Sequence, residues 1–280
     1  MSFVEILKII VLGIVEGFTE WLPISSTGHM ILVDEIIRLN QPEAFKEVFR
    51  VVIQLGAILA VVLMYFHKLN PFSPTKSGRQ RDATWALWIK IFIACVPAAV
   101  FGLLMDDWLD AHLYNAYVVA ATLIIYGVLF LVLENSSLCA NPSVQKVNQI
   151  SAKTAFYIGL FQLLALIPGT SRSGSTILGA MVLGCSRGAA AEFSFFLGIP
   201  VMFGASLLKI VKFFLEGNVF TAPQVFYTLL GMLIAFVVSV YSIRFLMSYV
   251  RRHDFKFFGY YRIILGVIVL TYFGITALAS

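Results

Sequence analysis

Charge is scarce in this chain. Asp, Glu, Lys and Arg make up 12% of its 280 residues, against 60% hydrophobic residues. Soluble domains carry about 25% charged residues, so the scarcity excludes an ordinary soluble domain and points to an integral membrane protein. Cysteine is sparse as well. Cys95, Cys139 and Cys185 are odd in number and share no motif, so neither a disulfide framework nor a cysteine metal cluster is expected. The polar–apolar alternation of barrel strands is missing, which leaves helices as the spanning elements. No basic segment precedes the first apolar run, and Glu16 and Glu20 interrupt it, so no cleavable signal peptide is expected. The net charge of +5 is explained by basic loops on one side of a membrane rather than by a nucleic-acid partner.

What is abundant is long apolar sequence, with mean hydropathy +0.90. Full spans are expected at 48–66, 85–104 (with Pro97 as a kink) and 116–133, then at 189–212, 224–247 and 260–279. Between them, 67–84 reads as a basic loop, 105–114 as an acidic turn, and 135–152 as a polar linker. Two stretches are broken by proline into legs too short to cross about 30 Å of hydrocarbon. They are 3–39, with legs 3–22 and 26–39 around Pro23, and 153–185, with legs 153–167 and 174–185 around Pro168. Each reads as a re-entrant hairpin, tolerated where protein or a wet cavity surrounds it.

The two halves repeat this order. Gly13, Glu16 and Pro23 correspond to Gly159, Gln162 and Pro168, and Gln54-Leu55-Gly56 to Phe196-Leu197-Gly198, at offsets of 142 to 146 residues. The expected fold is therefore an all-α polytopic membrane protein built as an inverted-topology repeat. Residues 1–134 form one half and 153–280 the other, each a re-entrant hairpin plus three spans. An odd span count per half puts the halves in opposite orientation. Lys68, Lys76, Arg79, Arg81, Lys146, Arg251, Arg252 and Lys256 lie in loops expected to face the cytoplasm. Asp106, Asp107 and Asp110, both termini and the first hairpin then face outward. Lys209 and Lys212 fit that scheme least well.

The breaks concentrate the chemistry. The first, GIVEGFTEWLPISSTGHM (13–30), sets two acids, the hydroxyls of Ser25, Ser26 and Thr27, and an imidazole in apolar surroundings, where ionisable groups are costly and usually functional. Glu16 and Glu20 share a helix face. They suit a divalent cation, Mg²⁺ or Ca²⁺, or an ion pair with Arg172. Ser25, Ser26 and Thr27 suit a helix start. Ser26 is a candidate nucleophile, and His29, three residues on, is a candidate base, acid or rival nucleophile expected beside it. The second break, PGTSRSGST (168–176), combines Arg172 with Ser171, Ser173, Thr176 and Gly174 at a helix start, a set that suits phosphate. Gln54 reads as an interhelical hydrogen bond or as site lining, and Glu192 as a partner of Arg187 or a site residue. His67, His112 and His253 carry no assigned role.

At these residues the chain resembles the undecaprenyl-diphosphate phosphatase family, the bacitracin-resistance type of membrane phosphatase. The resemblance rests on EGFTEWLPISSTGH (16–29) and PGTSRSGST (168–176), supported by VIQLGAILAVV (52–62) and SRGAAAEFSFFLGIP (186–200), and covers essentially the whole chain. It implies removal of the terminal phosphate of a C55 polyprenyl diphosphate at the outer face of the bacterial plasma membrane, returning the lipid carrier to cell-wall synthesis. The family residues carry over to Glu16, Glu20, Ser26, His29, Ser171, Arg172, Ser173 and Thr176. The expected partners are the polyprenyl diphosphate and the bilayer, with no nucleic acid and with a homodimer left open. The alternative is a flippase or transporter of a phosphorylated polyprenyl lipid, since inverted repeats more often mean transport.

Overall fold

The computed structural model describes residues 2–279. The side chains of Asp34, Glu35, Asp106, Asp107, Asp110 and residues 277–279 lie outside that description. The described residues form α1 (Phe3–Thr19), α2 (Ser26–Ile36), α3 (Glu43–Met64), α4 (Phe66–Leu69), α5 (Gly78–Leu113), α6 (Ala116–Glu134), α7 (Ala152–Leu163), α8 (Arg172–Val182), α9 (Arg187–Leu215), α10 (Ala222–Tyr249) and α11 (Lys256–Ala279). Six of these, α3, α5, α6, α9, α10 and α11, are long and apolar enough to cross a membrane, as expected of an all-α polytopic chain.

The legs around the two breaks are shorter. α2 and α8 have 11 residues each, about 17 Å at 1.5 Å per residue, roughly half the hydrocarbon thickness. Each pair of legs returns to where it began. Lys8 Nζ donates to the Arg38 carbonyl at 2.6 Å, and the Asn40 amide donates to Glu5 at 3.1 Å, so the start of α1 lies beside the end of α2. Likewise the Val144 amide donates to the Gly184 carbonyl at 3.0 Å, and the Ser186 amide donates to the Val144 carbonyl at 2.8 Å. The chain entering α7 therefore lies beside the chain leaving α8.

Helix packing keeps its pattern when the halves are exchanged. α1 packs on α10 and α7 on α5. α3 packs on α10 and α9 on α5. The first spans, α3 and α9, pack on each other, as do the third spans, α6 and α11. Close backbone approach makes this possible. A Cβ on Gly159 would lie 2.3 Å from the Ala94 carbonyl oxygen of α5, so only glycine lets α7 sit there. Outside the contacts, Val4, Leu7, Val11, Ile14 and Phe18 form an exposed apolar stripe along α1, at a spacing suited to lipid.

Three sequence expectations change. The acidic turn at 105–114 is the continuation of α5, which runs unbroken to Leu113; no Gly or Pro punctuates those residues. The side chains of Asp106, Asp107 and Asp110 lie outside the described residues. The loop expected at 67–84 is shorter, because Ser77 and Gln80 form a capping box that starts α5 at Gly78. Glu192 does not pair with Arg187. Five residues apart on one helix, the two point in different directions: Glu192 pairs with Lys68 at 2.5 Å, and Arg187 grips Glu134 at 2.5 Å.

Candidate functional site

Both breaks are built alike. The entering helices stop short of the prolines expected to end them, α1 at Thr19 before Pro23 and α7 at Leu163 before Pro168, and a serine then starts each returning helix with positive φ: Ser25 at 72° and Ser171 at 71°. Such backbone is strained for a residue with a Cβ and persists only where its surroundings enforce it. Here the serine hydroxyls enforce it as caps. Ser25 Oγ accepts from the Gly28 amide at 3.2 Å, and Ser171 Oγ accepts from the Gly174 amide at 3.1 Å.

The tips of the two hairpins touch. Ser173 Oγ donates to the carbonyls of Glu20 at 3.0 Å and Leu22 at 3.2 Å. Arg262 of α11, fully buried, locks the same seam. Its guanidinium donates to the Pro23 carbonyl at 3.1 Å on one break and to the Gly169 and Thr170 carbonyls at 3.0 and 2.9 Å on the other. It also lies over the Tyr126 ring at 5.4 Å.

This seam brings Glu20, Ser26 and Arg172 together. Arg172 Nη2 and Nε donate to Glu20 Oε1 at 2.9 and 3.2 Å, and Ser26 Oγ donates to Glu20 Oε2 at 2.9 Å. Arg172 is held from three further sides. Its Nη1 donates to the Ser194 carbonyl at 2.8 Å. Its plane lies over the Trp21 ring at 5.6 Å. A Cβ on Gly198 would come within 3.0 Å of the guanidinium, so that glycine makes the room it occupies. Thr176 Oγ1 braces the support by meeting Ser194 Oγ at 2.7 Å.

A cavity of about 200 Å³ opens over this cluster, and Glu20, Ser26, Thr27, Ser171, Arg172, Gln54 and Gln162 contribute its polar walls. Gln54 thus lines the site. Ser25, Ser173, Gly174 and Thr176 lie behind that wall as caps and braces. Glu16 is buried one turn before Glu20, and its Oε1 has no hydrogen-bond partner. It does not touch Arg172 directly; the ion pair belongs to Glu20.

His29 and Ser26 turn to different hydrogen-bond partners. Its Nδ1 donates to the Ser25 carbonyl at 2.7 Å, which makes Nε2 of the neutral ring an acceptor for the Tyr261 hydroxyl at 2.7 Å. Helical side chains lean back toward the N-terminus, so His29 reaches its i−4 carbonyl and then α11, while Ser26 leans toward Glu20. Arg262, Tyr261 and Ser194 were not singled out from the sequence. A lone arginine near the start of an apolar span was the available signal for Arg262.

With this geometry in view, likeness to known proteins becomes informative. Residues 9–268 match the family described as bacitracin resistance protein BacA. The chain is 60% identical over 274 residues to the undecaprenyl-diphosphatase of Desulfitobacterium hafniense, covering 98% of each chain. It is 58% identical over 273 residues to that of Limosilactobacillus fermentum, covering 98% of this chain and 99% of the relative. The Enterococcus faecalis undecaprenyl-diphosphatase is 56% identical over 272 residues, with 97% and 99% covered. By family match and by identity over its whole length, this multi-pass chain belongs to the bacitracin resistance protein BacA family.

Proposed function

We propose that the chain hydrolyses undecaprenyl diphosphate to undecaprenyl phosphate and inorganic phosphate at the outer face of the bacterial plasma membrane. One observation carries the chemistry: a single carboxylate, Glu20, holds both the Ser26 hydroxyl and the Arg172 guanidinium. The Arg172 fork matches phosphate oxygens and is already desolvated. An arriving diphosphate competes with Glu20 for that fork, which releases the carboxylate to take the Ser26 proton. Ser26 Oγ then forms a bond to the terminal phosphorus, its proton passing to Glu20 Oε2. The bond from that phosphorus to the bridging oxygen breaks, and the electron pair leaves with the lipid monophosphate. Water later attacks the phosphoserine, giving inorganic phosphate and restoring Ser26. His29, itself held by Tyr261, bonds the Ser25 carbonyl and so positions the start of α2.

Glu16 and Glu20 would hold a divalent cation, Mg²⁺ or Ca²⁺. The unpartnered, buried Glu16 Oε1 fits that role, since hard cations take oxygen ligands. When bound, such an ion supplies neutralisation of phosphate charge.

The polyprenyl tail has a path away from the polar cavity. An apolar cavity of about 360 Å³, lined by Cys95, Leu103, Pro200 and Leu208 among others, shares the walls Ala98, Leu166, Val201 and Ala205 with it. The inverted arrangement of the halves belongs to the same proposal and puts the loop between α4 and α5 in the cytoplasm. Cysteines placed in 70–77 should resist an impermeant thiol reagent added to intact cells, and labelling there would reverse the orientation. The activity itself is tested in detergent, where wild-type protein should release phosphate from a polyprenyl diphosphate and Glu20→Gln should not. A carrier without phosphatase activity would release none in either case.

A further inference from the structure

Gln162 is buried, 2% exposed, yet neither its amide nitrogen nor its amide oxygen has a hydrogen-bond partner. It sits at the end of α7 and lines the cavity that holds Ser26, Glu20 and Arg172. An unpaired buried amide is costly, and such groups in native proteins call for an explanation. A leucine there would remove the cost at similar volume. The terminal torsion of a glutamine is soft, so the amide can swing toward whatever enters the cavity.

Its place along the cavity says what that is. The cavity is lined both by Arg172 and Ser26, where the transferred phosphate is proposed to sit, and by Leu166, a wall shared with the apolar cavity. Gln162 precedes Leu166 by four residues, about one helical turn, on the same stretch of chain. It therefore borders the cavity of the reaction centre close in the chain to the wall that this cavity shares with the proposed path of the tail. A neutral amide also suits that position: it can donate to a phosphate oxygen without competing with Arg172, whereas the acid found at the matching position of the first half, Glu16, would repel an anion.

We propose that Gln162 is a substrate-binding residue whose amide donates to the phosphate that remains on the lipid. The proposal rests on the phosphatase reading above. A group that binds substrate and transition state alike changes KM rather than kcat, and a lost hydrogen bond to a charged group is worth about tenfold or more in affinity.

The test is steady-state kinetics in detergent on wild type, Gln162→Leu and Gln162→Glu, with product inhibition by a polyprenyl monophosphate and by inorganic phosphate. Gln162→Leu should melt no lower than wild type and raise KM about tenfold with kcat within a few-fold. Inhibition by the lipid monophosphate should weaken by a similar factor, and inhibition by inorganic phosphate should not change. Gln162→Glu should raise KM further. If Gln162→Leu fails to fold, Gln162→Met takes its place in the same comparison. Unchanged KM and unchanged lipid-monophosphate inhibition would overturn the proposal, as would weakened inhibition by inorganic phosphate alone. A wild-type protein that releases no phosphate would overturn the phosphatase reading instead.

Discussion

Ser25 and Ser171, 146 residues apart, are the two non-glycine residues with positive φ among those described, and their φ angles agree within one degree. Each caps the helix whose next residue enters the reaction centre, Ser26 in one case and Arg172 in the other. Strain of this kind fixes the direction in which the following side chain leaves the backbone.

Replacing Ser25 or Ser171 should separate the cap from the strain. Ser25→Ala keeps the strain and loses the cap, and should cost about 1 kcal/mol of stability. Ser25→Gly relieves the strain, loses little cap energy, and should melt close to wild type. Thermal unfolding in detergent reads the order, and an alanine variant as stable as the glycine variant would contradict it. The same order is expected at Ser171.

Arg172→Lys should fold but lose at least about tenfold in turnover, roughly 1.4 kcal/mol of transition-state stabilisation. Lysine keeps the charge but cannot match both Glu20 and a phosphate with a planar fork. Initial rates of phosphate release decide it, and near-normal turnover would reduce Arg172 to a point charge.

Arg262→Met should be more damaging to the fold than any site substitution. It would strip donors from the Pro23, Gly169 and Thr170 carbonyls at the seam of the two breaks, at a cost of at least about 3 kcal/mol. Arg262→Lys should recover only part of this, since one ammonium cannot span both breaks. A melting temperature unchanged in Arg262→Met would show that the seam does not depend on it.

Glu20 and Glu16 should differ under titration with Mg²⁺ or Ca²⁺. Glu20→Gln removes the partner of both Ser26 and Arg172 and should abolish turnover at every ion concentration. Glu16→Gln should leave turnover measurable but shift the titration to higher ion concentration. Superimposable titrations for Glu16→Gln and wild type would remove Glu16 from any cation site.

Much of this arrangement was legible in the sequence because proline and polar clusters stand out against apolar runs. The breaks at Pro23 and Pro168, the six long helices and the candidates Glu20, Ser26 and Arg172 could all be read that way, and the structure brings those three side chains together. What could not be read were relationships set by distant chain. Arg262 bonds carbonyls 92 to 239 residues away, and carbonyls carry no residue signature. Spacing alone paired Ser26 with His29, but cap geometry turned the imidazole to the Ser25 carbonyl and Tyr261. The extension of α5 to Leu113 was hidden by acidic residues that mark a surface without ending a helix. Gln162 was visible only as the neutral counterpart of Glu16, since an unpaired amide is a property of packing.

The most direct measurement is rapid quench with substrate labelled on its terminal phosphate. Ser26 attack predicts an acid-stable phosphoserine at Ser26 that forms before steady state and is absent in a nearly inactive Ser26→Ala. An acid-labile, base-stable phosphohistidine, or substantial turnover in Ser26→Ala, would contradict it.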